Sequence, residues 1–100
     1  MKAMWNDQVI AEAKKEDLIY IEQNWYFPPA SVNQDFLRQS PTPYTCPWKG
    51  ECQYYDVGDG DTWSKDSAFS YLQPMSTAIE RVHKDFTGYV AFWRDVQVSE

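Results

Sequence analysis

The side chains that build most metal centres and catalytic dyads are scarce in this sequence. Its 100 residues include one histidine, His83, and two cysteines, Cys46 and Cys52. A structural zinc site takes about four such ligands, and these two cysteines lack Cys-x-x-Cys spacing. We therefore predict no metal site and no cofactor. The cysteines could pair, but free thiols are the more common arrangement in a chain with an ample apolar core.

Positive charge and long apolar runs are also in short supply. Nine Lys and Arg residues stand against fifteen Asp and Glu residues, a formal net charge of −6. Such a surface repels nucleic-acid phosphates and anionic membranes. No run approaches the ~18 apolar residues of a membrane span, and the first residues lack the apolar stretch of a signal peptide. We expect a cytoplasmic protein with neither nucleic acid nor membrane as a partner.

Familiar catalytic motifs are missing as well. The sequence contains no G-x-x-x-x-G-K-[ST], G-x-G-x-x-G, G-x-S-x-G or H-E-x-x-H. These are the signatures of phosphate loops, dinucleotide folds, serine hydrolases and zinc proteases. Function must therefore be argued from smaller combinations of residues.

Apolar and aromatic residues, in contrast, are plentiful. Hydrophobic residues make up 43% of the chain and aromatic residues 17%. This is enough to fill an interior without metal or disulfide cross-links. Because a chain of this length cannot divide into two independent cores, we predict a single domain, residues 1–100.

Short alternating segments predict a mainly β fold, or a β-dominated α+β fold, without a βαβ rhythm. The predicted strands are residues 3–5, 8–13, 18–22, 50–57, 62–72 and 89–93, with a further short strand around Val96 and Val98. In the second of these, Val9, Ala11 and Ala13 are expected on one side. Asn6-Asp7 and residues 58–61 are predicted turns.

The remaining segments are expected to be irregular or helical. Four prolines interrupt residues 25–43, which predicts a long ordered excursion with one or two helical turns that cover a sheet edge. Residues 76–86 are the best helix candidate, with capping-box spacing between Thr77 and Glu80 and with Gly88 closing the segment.

The stretch TPYTCPWKGECQYY, residues 42–55, concentrates the candidate chemistry. Cys46 could act as a nucleophile whose thiolate is favoured by Lys49, although His83, the only histidine, falls on the exposed side of the predicted helix. The alternative is that Cys46 packs as a small hydrophobic residue. Lys49, between Trp48 and Gly50, could hold a carboxylate or phosphate, or could be an ordinary surface lysine.

Aromatic residues could wall a ligand cleft around that lysine. The candidate ligand-binding residues are Tyr26, Trp48, Lys49, Tyr54, Phe69 and Tyr71. Each aromatic residue has core packing as its ordinary alternative. Glu22, at the end of a strand, could pair with Lys49 or Arg38 across such a cleft, or could be a solvated charge.

Several sequence blocks, taken together, resemble one known family. They are WYFP at 25–28, Ser40, TCPWKGECQYY at 45–55, SAFSYLQP at 67–74 and GYVAFW at 88–93. In this order they resemble the family catalogued as domain of unknown function four-two-seven (DUF427), which also carries a nucleotidyltransferase-like label. Two positions depart from the family pattern, with Phe69 where tryptophan is common and Cys52 where a small residue is usual.

The resemblance implies a small two-sheet antiparallel, tent-like β domain, related to zinc-binding β modules whose cysteines are absent here. Nucleotidyl transfer usually needs paired carboxylates that hold Mg²⁺, and no such pair is evident. We therefore expect a binding module with a cleft for a small or anionic ligand. The alternatives are an enzyme that uses Cys46 or Lys49, and an interaction module; the chain is expected to be a monomer or a homodimer.

Overall fold

The computed structural model describes all residues, 1–100, and consists mainly of short strands. The strands are β1 (Lys2–Trp5), β2 (Gln8–Glu12), β3 (Ile19–Ile21), β4 (Asn24–Phe27), β5 (Leu37–Cys46), β6 (Gly50–Asp59), β7 (Thr62–Ser70), β8 (Val90–Phe92) and β9 (Gln97–Ser99). One α-helix, α1 (Ser76–Val82), and three 3₁₀ turns (Lys15–Asp17, Pro29–Ser31 and Gln34–Phe36) complete the fold. Seven of the nine strands, all except β4 and β5, fall on predicted segments.

The strands form two antiparallel sheets, which confirms the predicted fold class. The small sheet has the order β2-β1-β9 and the large sheet the order β3-β4-β8-β7-β6-β5. One apolar cluster joins the two sheets, with Trp5 and Ile10 from the small sheet against Phe27 and Val57 from the large one. A second cluster lies on the large sheet, where Ala78 of α1 and Phe86 pack. The large sheet is therefore covered on both faces.

The β1–β2 hairpin forms at the predicted Asn6-Asp7 turn. Both turn residues have positive φ, 50° and 63°, which suits the twist of a two-residue hairpin. The predicted facing of β2 is wrong, because Met4 pairs with Val9 and Ala3 with Ala11, leaving Ile10 as an extra residue. This bulge turns Val9 out to 41% exposure while Ala11 stays buried.

The excursion predicted for residues 25–43 contains two strands that the prolines concealed. β4 lies inside the large sheet, and β5 is its edge strand, bonded on one side only to β6. Pro41 and Pro43 are tolerated because an edge strand needs donors on one side only, and the register shifts between Gln39 and Pro43. The predicted helical turns appear as the 3₁₀ turns Pro29–Ser31 and Gln34–Phe36.

Helix α1 is shorter than residues 76–86. Met75 occupies the N-cap position without a side-chain hydrogen bond, so the predicted capping box is absent. The helix ends at His83, which has a left-handed φ of 66° and an exposed side chain. Phe86 still reaches the core, from the turn that follows. None of the helices is long and apolar enough to cross a membrane.

The β6–β7 hairpin depends on Gly58, and substitution there is predicted to destabilise the fold. A Cβ atom at Gly58 would lie 2.2 Å from the Thr62 carbonyl oxygen and 2.7 Å from Trp63 Cα. Overpacking of this kind costs about 1–3 kcal/mol or more. We expect Gly58→Ala to lower the free energy of unfolding by at least that amount in urea titrations.

Gly60→Ala is the matched control, since Gly60 has open space around it but a φ of +59°. Its cost should be only the left-handed backbone penalty of about 1–2 kcal/mol. A larger loss of unfolding free energy in Gly60→Ala than in Gly58→Ala would contradict the close packing around Gly58.

Candidate functional site

A cleft of about 460 Å³ lies on the α1-covered face of the large sheet. Part of its lining comes from a cross-strand pair, in which Tyr54 of β6 lies opposite Phe69 of β7. Side chains directly opposite one another in antiparallel strands share a face. The aromatic side chains that line the cleft are Tyr44, Trp48, Tyr54, Phe69, Tyr71 and Trp93.

The β5–β6 hairpin forms one wall of the cleft. Cys46 pairs with Gly50 and Tyr44 with Cys52, so alternate residues of the two strands face the cleft. Gly50 has a φ of +112°, and a Cβ there would lie 3.4 Å from the Met75 side chain and 3.5 Å from a backbone carbonyl. This position requires glycine, and the requirement explains the residue that follows Lys49.

An ion pair between Lys49 and Glu22 lies at the cleft. The Lys49 Nζ donates to Glu22 Oε1 at 2.5 Å. The lysine side chain is 7% exposed and the glutamate side chain 54% exposed. The pairing suggested for Glu22 is therefore present with Lys49, whereas Arg38 pairs with Asp56 at 3.0 Å.

The Lys49 amine lies close to two aromatic rings. Nζ lies 5.2 Å from the centre of the Trp48 ring and 5.1 Å from that of Tyr71, both within cation–π range. The Arg81 guanidinium of α1 also contacts Trp48, at 4.5 Å. Lys49 is therefore a fixed buried cation and not a mobile surface lysine.

The same groups favour the ionised form of Glu22. The hydrogen bond from Lys49 is the main cause that lowers the pKa of Glu22, and the charge of Lys49, the Trp48 side chain and Arg81 act in the same direction. Partial burial opposes them. The cleft therefore contains a carboxylate at neutral pH.

An aromatic cluster around Trp93 also lines the cleft. The Trp93 and Tyr54 rings are nearly parallel, at 9° with centroids 6.2 Å apart, and Trp93 meets Phe69 edge-to-face at 5.2 Å. The Trp93 indole N–H donates to the Asp66 carbonyl at 2.6 Å, which fixes the ring. The sequence predicted Trp93 only as part of a strand, and it did not indicate Tyr44 or Asn24, because both lie where proline and turn patterns obscured the strands.

Tyr26 is the one proposed ligand-binding residue that does not line the cleft. Its side chain is fully buried and meets Phe69 edge-to-face at 5.9 Å. Its hydroxyl has no hydrogen-bond partner, and burial raises the pKa of Tyr26 well above its usual range. The other five, Trp48, Lys49, Tyr54, Phe69 and Tyr71, are brought together.

Both cysteines are free, buried and part of the cleft lining. Burial raises the pKa of the Cys52 thiol to about 11, although a hydrogen bond with Tyr71 acts in the opposite direction. His83, the only histidine, is exposed at the end of α1 and is not among the lining residues. No group of three or more His, Cys, Asp or Glu side chains is arranged to hold a metal ion.

Two antiparallel sheets, a single short helix and an aromatic cleft around a buried lysine define a class of small β domains. Within that class, the chain belongs to the family described as Domain of unknown function (DUF427), whose model matches residues 1–100. This confirms the resemblance inferred from the sequence blocks. No curated protein matches the chain.

Loss of the Tyr26 hydroxyl group is predicted not to destabilise the fold. A buried hydroxyl without a partner costs about 1–3 kcal/mol, whereas a made hydrogen bond contributes about 0.5–1.5 kcal/mol. Tyr26→Phe should therefore leave the free energy of unfolding unchanged or raise it. Urea unfolding checks this, and a loss of about 0.5–1.5 kcal/mol in the variant would show that the Tyr26 hydroxyl has a partner.

The Cys52 thiol is predicted to resist alkylation in the folded protein. Only the thiolate reacts, and burial favours the neutral thiol, so in a Cys46→Ser variant the rate of labelling by iodoacetamide should rise with pH toward a midpoint near 11. The same variant in denaturant should show the free-thiol midpoint of about 8.5. A folded-state midpoint near 8.5 in peptide mass mapping would contradict the assigned burial.

Proposed function

We propose that this DUF427 protein is a small-molecule binding module whose cleft takes a planar, ring-bearing ligand. The observation that carries the proposal is the combination of an aromatic-lined cleft of about 460 Å³ with one buried cation inside it. Ligand sites are commonly concave, about 300–1,000 Å³ in volume, mostly apolar, and equipped with a few fixed polar groups.

The shapes of the walls favour a flat ring. Phe69 and Trp93 meet edge-to-face, and Tyr44 and Tyr54 are tilted by 45° at 6.4 Å, so ring faces and edges both border the cleft. Aromatic pairs in such arrangements add about 0.5–1.5 kcal/mol beyond the area they bury. Tyr44 is 47% exposed, which leaves part of its ring free for a ligand.

Polar groups in the cleft supply orientation. The Asn24 side chain and the Lys49–Glu22 pair line the same cleft as the aromatic rings. A few amide and charged groups in an otherwise apolar cleft fix the direction in which a ligand lies. This supports binding with a defined orientation and not a non-specific apolar patch.

Binding is supported better than thiol catalysis. A nucleophilic cysteine reacts as its thiolate and is usually activated by an adjacent base. Cys52 is held in its neutral form by burial, and His83 lies outside the cleft. Cys46, the predicted nucleophile, is 6% exposed and has no histidine beside it in the cleft, which supports the alternative that it packs as part of the wall.

The binding test uses neutral bicyclic rings, indole and quinoline, titrated into ¹⁵N-labelled protein. The indole N–H signals of Trp48 and Trp93 should shift together and saturate. Tyr44→Ala should weaken binding about two- to tenfold, the loss expected for one aromatic contact.

Tyr20→Ala is the matched control. Tyr20 is 54% exposed and packs on Trp25 at 4.5 Å, outside the cleft. Its removal should leave the affinity unchanged. Shifts scattered over the surface, or equal effects of the two variants, would overturn the proposal.

A further inference from the structure

We propose that the ligand of this cleft carries a carboxylate, which replaces Glu22 on the buried amine of Lys49. The inference rests on the proposed binding function and specifies its ligand class. Glu22 then acts as an internal stand-in for the ligand, occupying the cation until a ligand carboxylate displaces it.

The unequal burial of the two partners supports this exchange. Lys49 is 7% exposed and is held against Trp48 and Tyr71, whereas the Glu22 side chain is 54% exposed. When the pair separates, the carboxylate can move into water, but the amine remains in the cleft. Because an unpaired buried cation is costly, a vacated Lys49 favours another anion.

The backbone around Glu22 provides a second, independent observation. Glu22 and Gln23 form the two-residue turn between β3 and β4, with φ of 51° and 70°. Such turns favour Asn-Gly or Asp-Gly, and left-handed φ is unfavourable for residues with longer side chains. The turn fixes the Glu22 backbone beside the cleft while its side chain stays exposed, and backbone strain of this kind is typical of functional positions.

The charges of the site favour a carboxylate over a phosphate. Lys49 is the one lysine or arginine that lines the cleft, while Arg81 and Arg94 contact the rings of Trp48 and Trp93 without lining it. A monoanion can replace Glu22 without changing the charge at Lys49. A dianionic phosphate would add negative charge in a chain whose formal net charge is already −6.

The experiment compares 2-naphthoate with neutral 2-naphthamide and dianionic 2-naphthyl phosphate, which share one ring system. Affinities are measured by calorimetry, and the position of binding by the Trp48 and Trp93 indole signals. We expect 2-naphthoate to bind the wild type more tightly than either analogue. Lys49→Met, which keeps the length of the stem, should remove this preference, so that 2-naphthoate binds no more tightly than 2-naphthamide.

Glu22→Gln is the informative second variant, because an exposed turn residue can change without unfolding the protein. It removes the competing charge and should tighten 2-naphthoate binding, by up to about fivefold for an ion pair of this exposure. The affinity for 2-naphthamide, which has no charge to exchange, should change less than that for 2-naphthoate. General damage to the fold would weaken binding, so an increase in affinity in this variant cannot be explained by such damage.

Two surface variants control for charge alone. Glu12→Gln removes a carboxylate that pairs with Lys2 at 3.9 Å on the small sheet, and Lys15→Met removes a lysine that pairs with Glu100 at 3.1 Å and contacts Trp25. Neither should change the affinity for 2-naphthoate by more than about twofold, since exposed charges are screened by salt.

The outcomes separate this inference from the binding proposal. Equal binding of 2-naphthoate and 2-naphthamide, with no response to Glu22→Gln, would overturn the carboxylate exchange and leave ring binding intact. Tighter binding of 2-naphthyl phosphate than of 2-naphthoate would overturn the carboxylate and indicate a phosphate ligand instead. Absence of cleft binding by all three probes would overturn both proposals.

Discussion

The contact between Lys49 and Glu22 requires a strongly curled sheet, and the cleft depends on that curl. β4 and β6 are separated by β8 and β7, which would place them about 14 Å apart in a flat sheet. The two strands also run in opposite directions, so the turns that precede Asn24 and Gly50 lie at opposite ends of the sheet. An ion pair between these turns is possible only if the β5–β6 hairpin bends back across the sheet face.

The same curl explains why one face of the large sheet becomes a cleft while the other becomes a core. The small sheet covers the outer face with Trp5 and Ile10, which pack against Phe27 and Val57. On the inner face, α1 is only seven residues long and its buried contribution is Ala78. So short a helix cannot cover a six-stranded sheet, and the bent hairpin encloses the rest incompletely. Aromatic residues that would otherwise be core therefore border open space.

Local patterns were enough to predict most of the strands and the mainly β class, while the two-sheet arrangement was implied by the family resemblance. Alternation, turn residues and dense apolar runs identified seven strands, because each of these signals lies within its own segment. β5 was missed because proline removes a backbone donor, and only the sheet order shows that its free side needs none. The bulge at Ile10 and the early end of α1 at His83 were also outside local prediction, since each depends on how neighbouring segments pack.

The sequence predicted the features of the site that depend on neighbouring residues. It did not predict those that depend on contacts between residues far apart in the chain. The combination of Trp48, Lys49 and Gly50 indicated an amine beside an aromatic face, and the structure has that contact. The sequence could not distinguish Tyr26, which is fully buried against Phe69, from Tyr54, which borders the cleft, because the burial of each ring depends on which distant residues pack over it. Trp93 entered the site through contacts with Tyr54 and Phe69 across the sheet, which no local pattern encodes.

An acidic chain that buries one of its few cations needs a reason for doing so. Burying an amine is unfavourable unless an anion and aromatic faces compensate, and Lys49 has both in Glu22, Trp48 and Tyr71. For stability alone, an apolar side chain of similar volume would serve at least as well, since buried ion pairs are often no better than hydrophobic packing. The compensating anion is moreover the exposed partner, on a turn with unfavourable backbone angles. A buried cation whose anion can leave suits recognition of another anion better than it suits stabilisation of the fold.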